Sequence, residues 1–384
     1  MTGRVERMGK VQRLVVKIGS SSLTDSNNAL DRKMIRRLVA EVVQLRNQGI
    51  EVSIITSGAV VAGAGRLGLE SRPRAIADLQ AAAAVGQNLL MHAYGSLFER
   101  RGVPCGQVLL TAEDILYDRS RYLKLENTFR SLFSFGAVPI VNENDSVAVA
   151  ELRRSIGEND MLAAYVANMI GAQLMIMLSD VDGLYPSYGA KGPQGPILSE
   201  IEYGDEQLDH VVGRSTNEFG RGGMQTKLRA ANLLTACGEM ALIANARRHR
   251  LRDILAGKEV GTLFLPSRKR MQRRKRWIAF ASPCKGSITV DDGAKRALKT
   301  MGRSLLPAGV IACEGPFRVG EMVIVKDGAS VELGRGLSRY TSDEMTQILG
   351  QSSPAVEKTL GRPASEVIHR DDLVLIEGPL IPGH

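Results

Sequence analysis

Apolar and polar positions follow two rhythms along this chain. Short β-branched runs at Leu14–Ile18, Val52–Thr56, Val103–Leu110, Ala137–Val141, Leu174–Leu178, Met240–Ala244 and Thr262–Leu265 predict strands. Between them, apolar residues recur at helical spacing over Asp31–Asn47, Ala75–Arg101, Arg119–Phe135, Glu158–Ile170 and Thr226–Ala236. Strands separated by helices predict an α/β fold, a mostly parallel sheet sandwiched by helices. Ligands in such sheets bind outside the carboxyl ends of the strands.

After Pro266 the rhythm changes. Ser267–Arg276 is nearly all basic, and the apolar runs beyond it are shorter. Strands are expected at Trp277–Ala281, Val310–Cys313, Glu321–Val325 and Leu373–Ile376, and helices at Gly293–Met301 and Ser342–Leu349. Thr341 and Glu344 have the spacing of a capping box for the last of these. The expected organisation is an α/β domain over 1–266, a basic linker over 267–276 and a small β-rich domain over 277–384.

Composition narrows the function. Lysine and arginine total 50 against 41 acidic residues, a formal +9, which raises nucleic acid or an anionic substrate as partner. The excess is local: +3 over 1–266, +7 over 267–276 and −1 over 277–384. A charge run of this kind is read first as a solvated hinge. Aromatic residues make up only 4% of the chain, which counts against stacking platforms for single-stranded nucleic acid. Four dispersed cysteines argue against a disulfide framework or a cysteine zinc site. The polar N-terminus does not read as a signal peptide. Met161–Ser179 lacks charge and approaches spanning length, but Asn168, Gly171 and Gln173 favour a buried helix followed by a buried strand. A soluble cytoplasmic protein is expected, with no membrane partner.

The strand ends carry the chemistry. Lys17 closes an apolar strand and is followed by Gly19, Ser20 and Ser21; a lysine there is costly unless it meets an anion or its stem snorkels out. Thr56-Ser57-Gly58 runs from a strand into a helix and suits an anion better than a nucleophilic serine, although a plain cap has the same pattern. Asn142-Glu143-Asn144-Asp145 and Gly157-Glu158-Asn159-Asp160 place acids and amides at the same end of the sheet, suited to an amine, a metal or both. An acidic turn follows at Ser179-Asp180-Val181-Asp182. Gly220-Arg221-Gly222-Gly223-Met224-Gln225-Thr226-Lys227 is a glycine-rich loop opening a helix, a ready phosphate cradle. Gly63, Gly65 and Gly68 spell G-x-G-x-x-G, but too far beyond the strand for a dinucleotide fingerprint, and close helix packing is the alternative. Two lysines, glycine loops and carboxylates together suit phosphoryl transfer, which needs positioning and charge neutralisation and no nucleophilic side chain.

With these motifs, VVKIGSSSLT, TSGAVVAG, AAVGQ, VPIVNENDSVA, GENDMLAA, LSDVDGLY and GRGGMQTKL, the chain resembles the amino acid kinase superfamily, and the match continues through RKRWIAF, SLLPAGV, GLSRY and EVIHRDDLVL over nearly its whole length. The C-terminal part is similar to a PUA domain, a small β-barrel best known from RNA-modifying proteins. The resemblance implies ATP- and Mg2+-dependent phosphorylation of the side-chain carboxylate of L-glutamate, giving glutamyl 5-phosphate for proline biosynthesis. It implies that Lys17 and Lys227 stabilise the transferring group and that Asp160 holds them. It further implies that Ser57, Asp145 and Asn159 bind glutamate, and that Ser179, Asp180 and the segment Arg221, Gly222, Gly223, Met224, Gln225, Thr226 and Lys227 hold ATP, with Lys17 also at the nucleotide. Such proteins are often homo-oligomers inhibited by proline. Arg221, Ala163 and Arg362 stand where threonine, serine and tyrosine are usual. The competing readings are a sister kinase acting on another substrate such as N-acetylglutamate, and RNA binding through the PUA-like domain and the basic run. The acidic Asn142–Asp145 segment favours a substrate with a free amine.

Overall fold

The computed structural model describes residues 3–25, 29–69, 71, 73–111, 114–115, 119–147, 159–189, 192–205, 223–267 and 284–375. The chain divides into two compact units, Met1–Arg270 and Met271–His384. The first runs α1 (Gly3–Met8), β1 (Arg13–Ile18), α2 (Ser20–Leu23), α3 (Arg32–Asn47), β2 (Glu51–Ile55), α4 (Ala59–Arg66), α5 (Ile76–Glu99), β3 (Cys105–Leu110), α6 (Arg119–Ser134) and β4 (Val138–Glu143). It continues with α7 (Asn159–Ile170), β5 (Leu174–Ser179), β6 (Ser187–Gly189), β7 (Gly192–Gln194), β8 (Glu200–Ile201), α8 (Gly223–Ala236), β9 (Met240–Asn245), α9 (Leu251–Leu255) and β10 (Thr262–Phe264).

Eight of these strands form one sheet in the order β3-β4-β2-β1-β5-β9-β10-β8. The strands from β3 to β9 pair in parallel, and β10 runs antiparallel to β9. The order reverses at β1, which lies between β2 and β5, so the crevice at its carboxyl end is a topological switch point. Period-two alternation sorts β1 by face: Leu14, Val16 and Ile18 enter a core shared with α3 and α5, whereas Val15 and Lys17 face the other way. Helix α3 starts where Asp31 accepts from the Lys33 and Met34 amides, and it buries Met34, Ile35, Leu38, Val39, Val42 and Leu45, one stripe at helical spacing. The uncharged Met161–Ser179 stretch divides into α7, all but its first two residues, and the strand β5. Among the described residues no helix is long and apolar enough to cross a membrane.

Glycines set the tightest contact. A Cβ on Gly63 of α4 would lie 1.8 Å from the Ala82 carbonyl oxygen, and one on Gly86 of α5 would lie 1.7 Å from that of Ala59. The two helices therefore cross backbone against backbone, which accounts for Gly63 in the G-x-G-x-x-G pattern as a packing residue.

The second unit contains β11 (Gly286–Val290), α10 (Asp292–Met301), β12 (Val310–Glu314), β13 (Met322–Asp327), β14 (Glu332–Leu337), α11 (Ser342–Ile348), α12 (Ser353–Leu360) and β15 (Leu373–Leu375). Among the described residues its five strands form one sheet, β12-β11-β13-β14-β15, over a core including Ile288, Val310, Val323, Val325, Leu333, Tyr340, Met345 and Ile348. The capping box forms: the Glu344 amide donates to Thr341 Oγ1, and the Thr341 amide donates to Glu344 Oε2. Arg362 packs its guanidinium over the Tyr340 ring, 5.2 Å from the centroid, and donates to Glu344 at 2.8 Å. Of the expected elements, Trp277–Ala281 lies outside the described residues, as does the basic run except Ser267.

Candidate active site

Lys17 leaves the end of β1 on the face covered by α7, and there it meets Asp160. The lysine ammonium is 2.6 Å from Asp160 Oδ1, and Lys227 of α8 is 3.2 Å from Asp160 Oδ2. Asp160 is fully buried, and both lysines are nearly so. Thr226 adds a hydroxyl that donates to the same Oδ2 at 3.0 Å. Burial pushes the Asp160 carboxyl up, but the two ammonium charges outweigh it and hold the group below its ordinary range. Asp160 also stands in the first turn of α7, where the helix dipole favours a negative charge.

The Lys227 ammonium would be disfavoured at the start of a helix. It folds back and donates to the Gly223 carbonyl at 2.9 Å, with Asp160 supplying the opposing charge. Two cations thus bracket one buried carboxylate, and the group carries a net positive charge. That is the electrostatic provision a transferring phosphoryl group requires.

A second cluster lies beside it. Gly58 takes a left-handed conformation, φ 95°, which ends β2 abruptly and starts α4 with Ser57 at its mouth. Asn159 Nδ2 donates to the Thr56 carbonyl at 2.9 Å, to Ser57 Oγ at 2.9 Å and to Asn142 Oδ1 at 3.0 Å. Asn142 in turn donates to Gln87 Oε1 at 2.8 Å. The Thr56 hydroxyl is 3.2 Å from that of Tyr94, whose ionisation burial suppresses. Asp145 lies in the turn beyond β4 and is half-buried.

A third cluster ends β5. The Ser179 hydroxyl donates to Asp180 Oδ1 at 2.9 Å, and Asn245, at the end of β9, donates to the Asp180 carbonyl at 3.0 Å. Asn245 Oδ1 accepts the Arg247 and Arg248 amides, so its orientation is fixed from both sides.

The structure therefore brings together Lys17, Asp160, Thr226 and Lys227, joins Ser57 to Asn159, and pairs Ser179 with Asp180. Gly223, Met224 and Gln225 form the half-buried first turn of α8. Arg221 and Gly222 lie outside the described residues. Sequence reading gave no role to Gln87, Asn142, Tyr94 or Asn245. Asn142 stands within the acid and amide run Asn142–Asp145 and Gln87 closes the AAVGQ motif, whereas Tyr94 sits in an Ala-rich helix with no local signal. No group of three or more histidine, cysteine, aspartate or glutamate residues among those described could hold a metal ion.

The amino acid kinase family model matches residues 12–245, and the PUA domain model matches 286–360. The chain is 44% identical over 373 residues to a glutamate 5-kinase of Pseudomonas paraeruginosa, covering 97% of this chain and all of that one. It is 44% identical over 377 residues to a glutamate 5-kinase of Methylococcus capsulatus, covering 98% of this chain and all of that one. A solved carbamate kinase from Giardia lamblia aligns with a TM-score of 0.47 at 17% identity, over 67% of this chain and 99% of that one.

Proposed function

The chain belongs to the amino acid kinase family, and from that premise we propose how its residues carry the ATP-dependent phosphorylation of the glutamate side-chain carboxylate. The reaction is the first step of proline biosynthesis. A glutamate carboxylate oxygen attacks the γ-phosphorus of ATP; the bond to the β-phosphate oxygen breaks, and glutamyl 5-phosphate and ADP leave. The nucleophile is already an anion, so no protein base is needed.

The observation that carries the assignment of roles is the pair of ammonium groups on the two oxygens of Asp160. In our reading Lys17 and Lys227 contact the transferring phosphoryl group from its two sides, and Asp160 keeps them apart and oriented. Ser57 and Asn159 bind glutamate, and Asp145 opposes its α-ammonium. Ser179 and Asp180, with the segment from Arg221 to Lys227, hold ATP, and the α8 N-terminus favours the phosphates. The described residues provide no carboxylate cage for magnesium. Mg2+ fits here as an ion held mainly by nucleotide phosphates and water, and when bound it neutralises phosphate charge.

A coupled assay for glutamate-dependent ADP release tests the reading. Lys17→Ala and Lys227→Ala should each lower kcat by about 10²- to 10³-fold. Wild-type turnover in either variant overturns the site assignment, and N-acetylglutamate serving as well as glutamate overturns the substrate.

Self-assembly and proline as feedback inhibitor complete the proposal on the family resemblance alone, and cytoplasmic location completes it on the polar N-terminus and the lack of a spanning segment in the sequence reading. The extents 1–266, 267–276 and 277–384 are proposed on the change of apolar rhythm after Pro266 and on the basic run. RNA contact through the PUA-like domain is at most secondary. It would require tight, salt-dependent binding that deletion of 267–384 abolishes.

A further inference from the structure

The amide chain behind Ser57 has a direction, and one backbone atom sets it. The Thr56 carbonyl can only accept, so Asn159 must turn its NH2 toward it. The same NH2 reaches Asn142, so Asn142 must present its oxygen to Asn159. Asn142 then has only its own NH2 to offer Gln87, which must present Oε1. Polarity therefore runs without a choice from Thr56 through Asn159 and Asn142 to Gln87. Asn142 is 2% exposed, so water does not substitute for a lost partner there. Among the described residues, Asn159 Oδ1 and Gln87 Nε2 are buried with no hydrogen-bond partner. An arrangement that leaves two such atoms costs stability, which points to a role for the orientation that it enforces.

We propose that Gln87 is a substrate-positioning residue: acting through Asn142, it braces the Asn159 amide in the orientation that Thr56 sets, so that Ser57 accepts from Asn159 and turns its hydroxyl proton outward to the amino-acid substrate. Gln87 comes from α5, apart from every strand end that forms the site. It acts on the amino-acid side, because its chain ends at Ser57 and Asn159. The lysine pair and the Ser179–Asp180 turn have separate hydrogen bonds. The inference rests on glutamate as the substrate bound at Ser57 and Asn159.

The test is steady-state kinetics of the full chain with Gln87→Met, which keeps length and helix propensity but offers Asn142 no comparable acceptor. Gln87→Leu replaces it if that variant does not fold. The expected result is a rise of about tenfold in KM for glutamate, the scale of one unpaired buried donor. KM for ATP and kcat should stay close to wild type, and the melting temperature should fall by a few degrees because the Asn142 donor is left unpaired. Gln87→Glu retains an acceptor toward Asn142 and should recover most of the glutamate KM. An unchanged glutamate KM in Gln87→Met, equal rises in both KM values, or a Gln87→Glu variant worse than Gln87→Met overturns the role of Gln87. A wild-type chain without glutamate-dependent ADP release overturns the substrate reading itself, and this inference with it.

Discussion

Gly63→Ala sets two opposing effects against each other, and the structure says which wins. In an exposed helix interior, replacing glycine by alanine stabilises by about 1 kcal/mol. At Gly63 the new methyl carbon would stand 1.8 Å from the Ala82 carbonyl oxygen, where ordinary contact begins near 3.4 Å. Helix α4 must therefore retreat from α5 by about 1.6 Å, and the obstacle is backbone, which cannot turn aside. Overpacking of this kind costs about 1–3 kcal/mol or more. At the upper end the net loss is about 2 kcal/mol, or roughly 4–8 °C in Tm for a unit of this size. The retreat also moves Ser57 at the head of α4, and a displacement of about 1 Å at a reacting site costs on the order of 10²-fold in rate. Thermal unfolding and kcat/KM for glutamate are the assays. Gly95→Ala on α5 is the control, since nothing lies within 4 Å of its Cβ, and it should raise Tm slightly. A Gly63→Ala protein as stable and active as wild type would refute the reasoning.

Two further outcomes follow from charge and packing. Asp160→Asn leaves Lys17 and Lys227 sharing a buried site without their counter-ion and should cost about 3–5 kcal/mol in denaturant unfolding at neutral pH. The folded-state pKa of Asp160 is depressed, so its stabilisation is present above the unfolded value near 4 and is lost as pH falls through the lower folded value. The gap between wild type and variant should hold from pH 5 to 8 and close only below about pH 4; a gap that closes near neutrality contradicts the assignment. Arg362→Ala removes a stacked, ion-paired but 45% exposed side chain, so thermal unfolding should show a loss of only about 0.5–1 kcal/mol in the C-terminal unit.

The parallel strands were legible because they are buried on both faces and read as unbroken apolar runs; β1, β5 and β9 fall within a residue of expectation. β14 was not, and its glycines explain why. Gly334 and Gly336 carry no strand signal, yet a Cβ on either would press into β15 or the loop before it, 2.3 Å from the Val374 oxygen and 2.5 Å from Ile368. The lysines stood out by position, a cation at the end of an apolar strand or in a helix's first turn, whereas the part of Asp160 between them came from the family resemblance. Gln87 was legible only as the end of the AAVGQ motif and Asn245 not at all, since their hydrogen-bond partners lie 55 and 65 residues away. The turn of Lys227 back onto Gly223 likewise depends on where the helix begins, three residues earlier than the apolar spacing suggested.

The crossing of α4 and α5 has a consequence for how this site can change. Gly86 makes the contact, and the next residue, Gln87, begins the amide chain; Ser57 stands at the other helix's head. The spacing between Ser57 and Gln87 is thus set by the thickness of two bare backbones, the minimum that helices permit. Side chains elsewhere in a pocket can be exchanged in small steps, but this dimension has no smaller neighbour and its first larger one is a whole methyl group. A descendant with a different substrate would be expected to alter the strand-end loops first and leave this joint untouched.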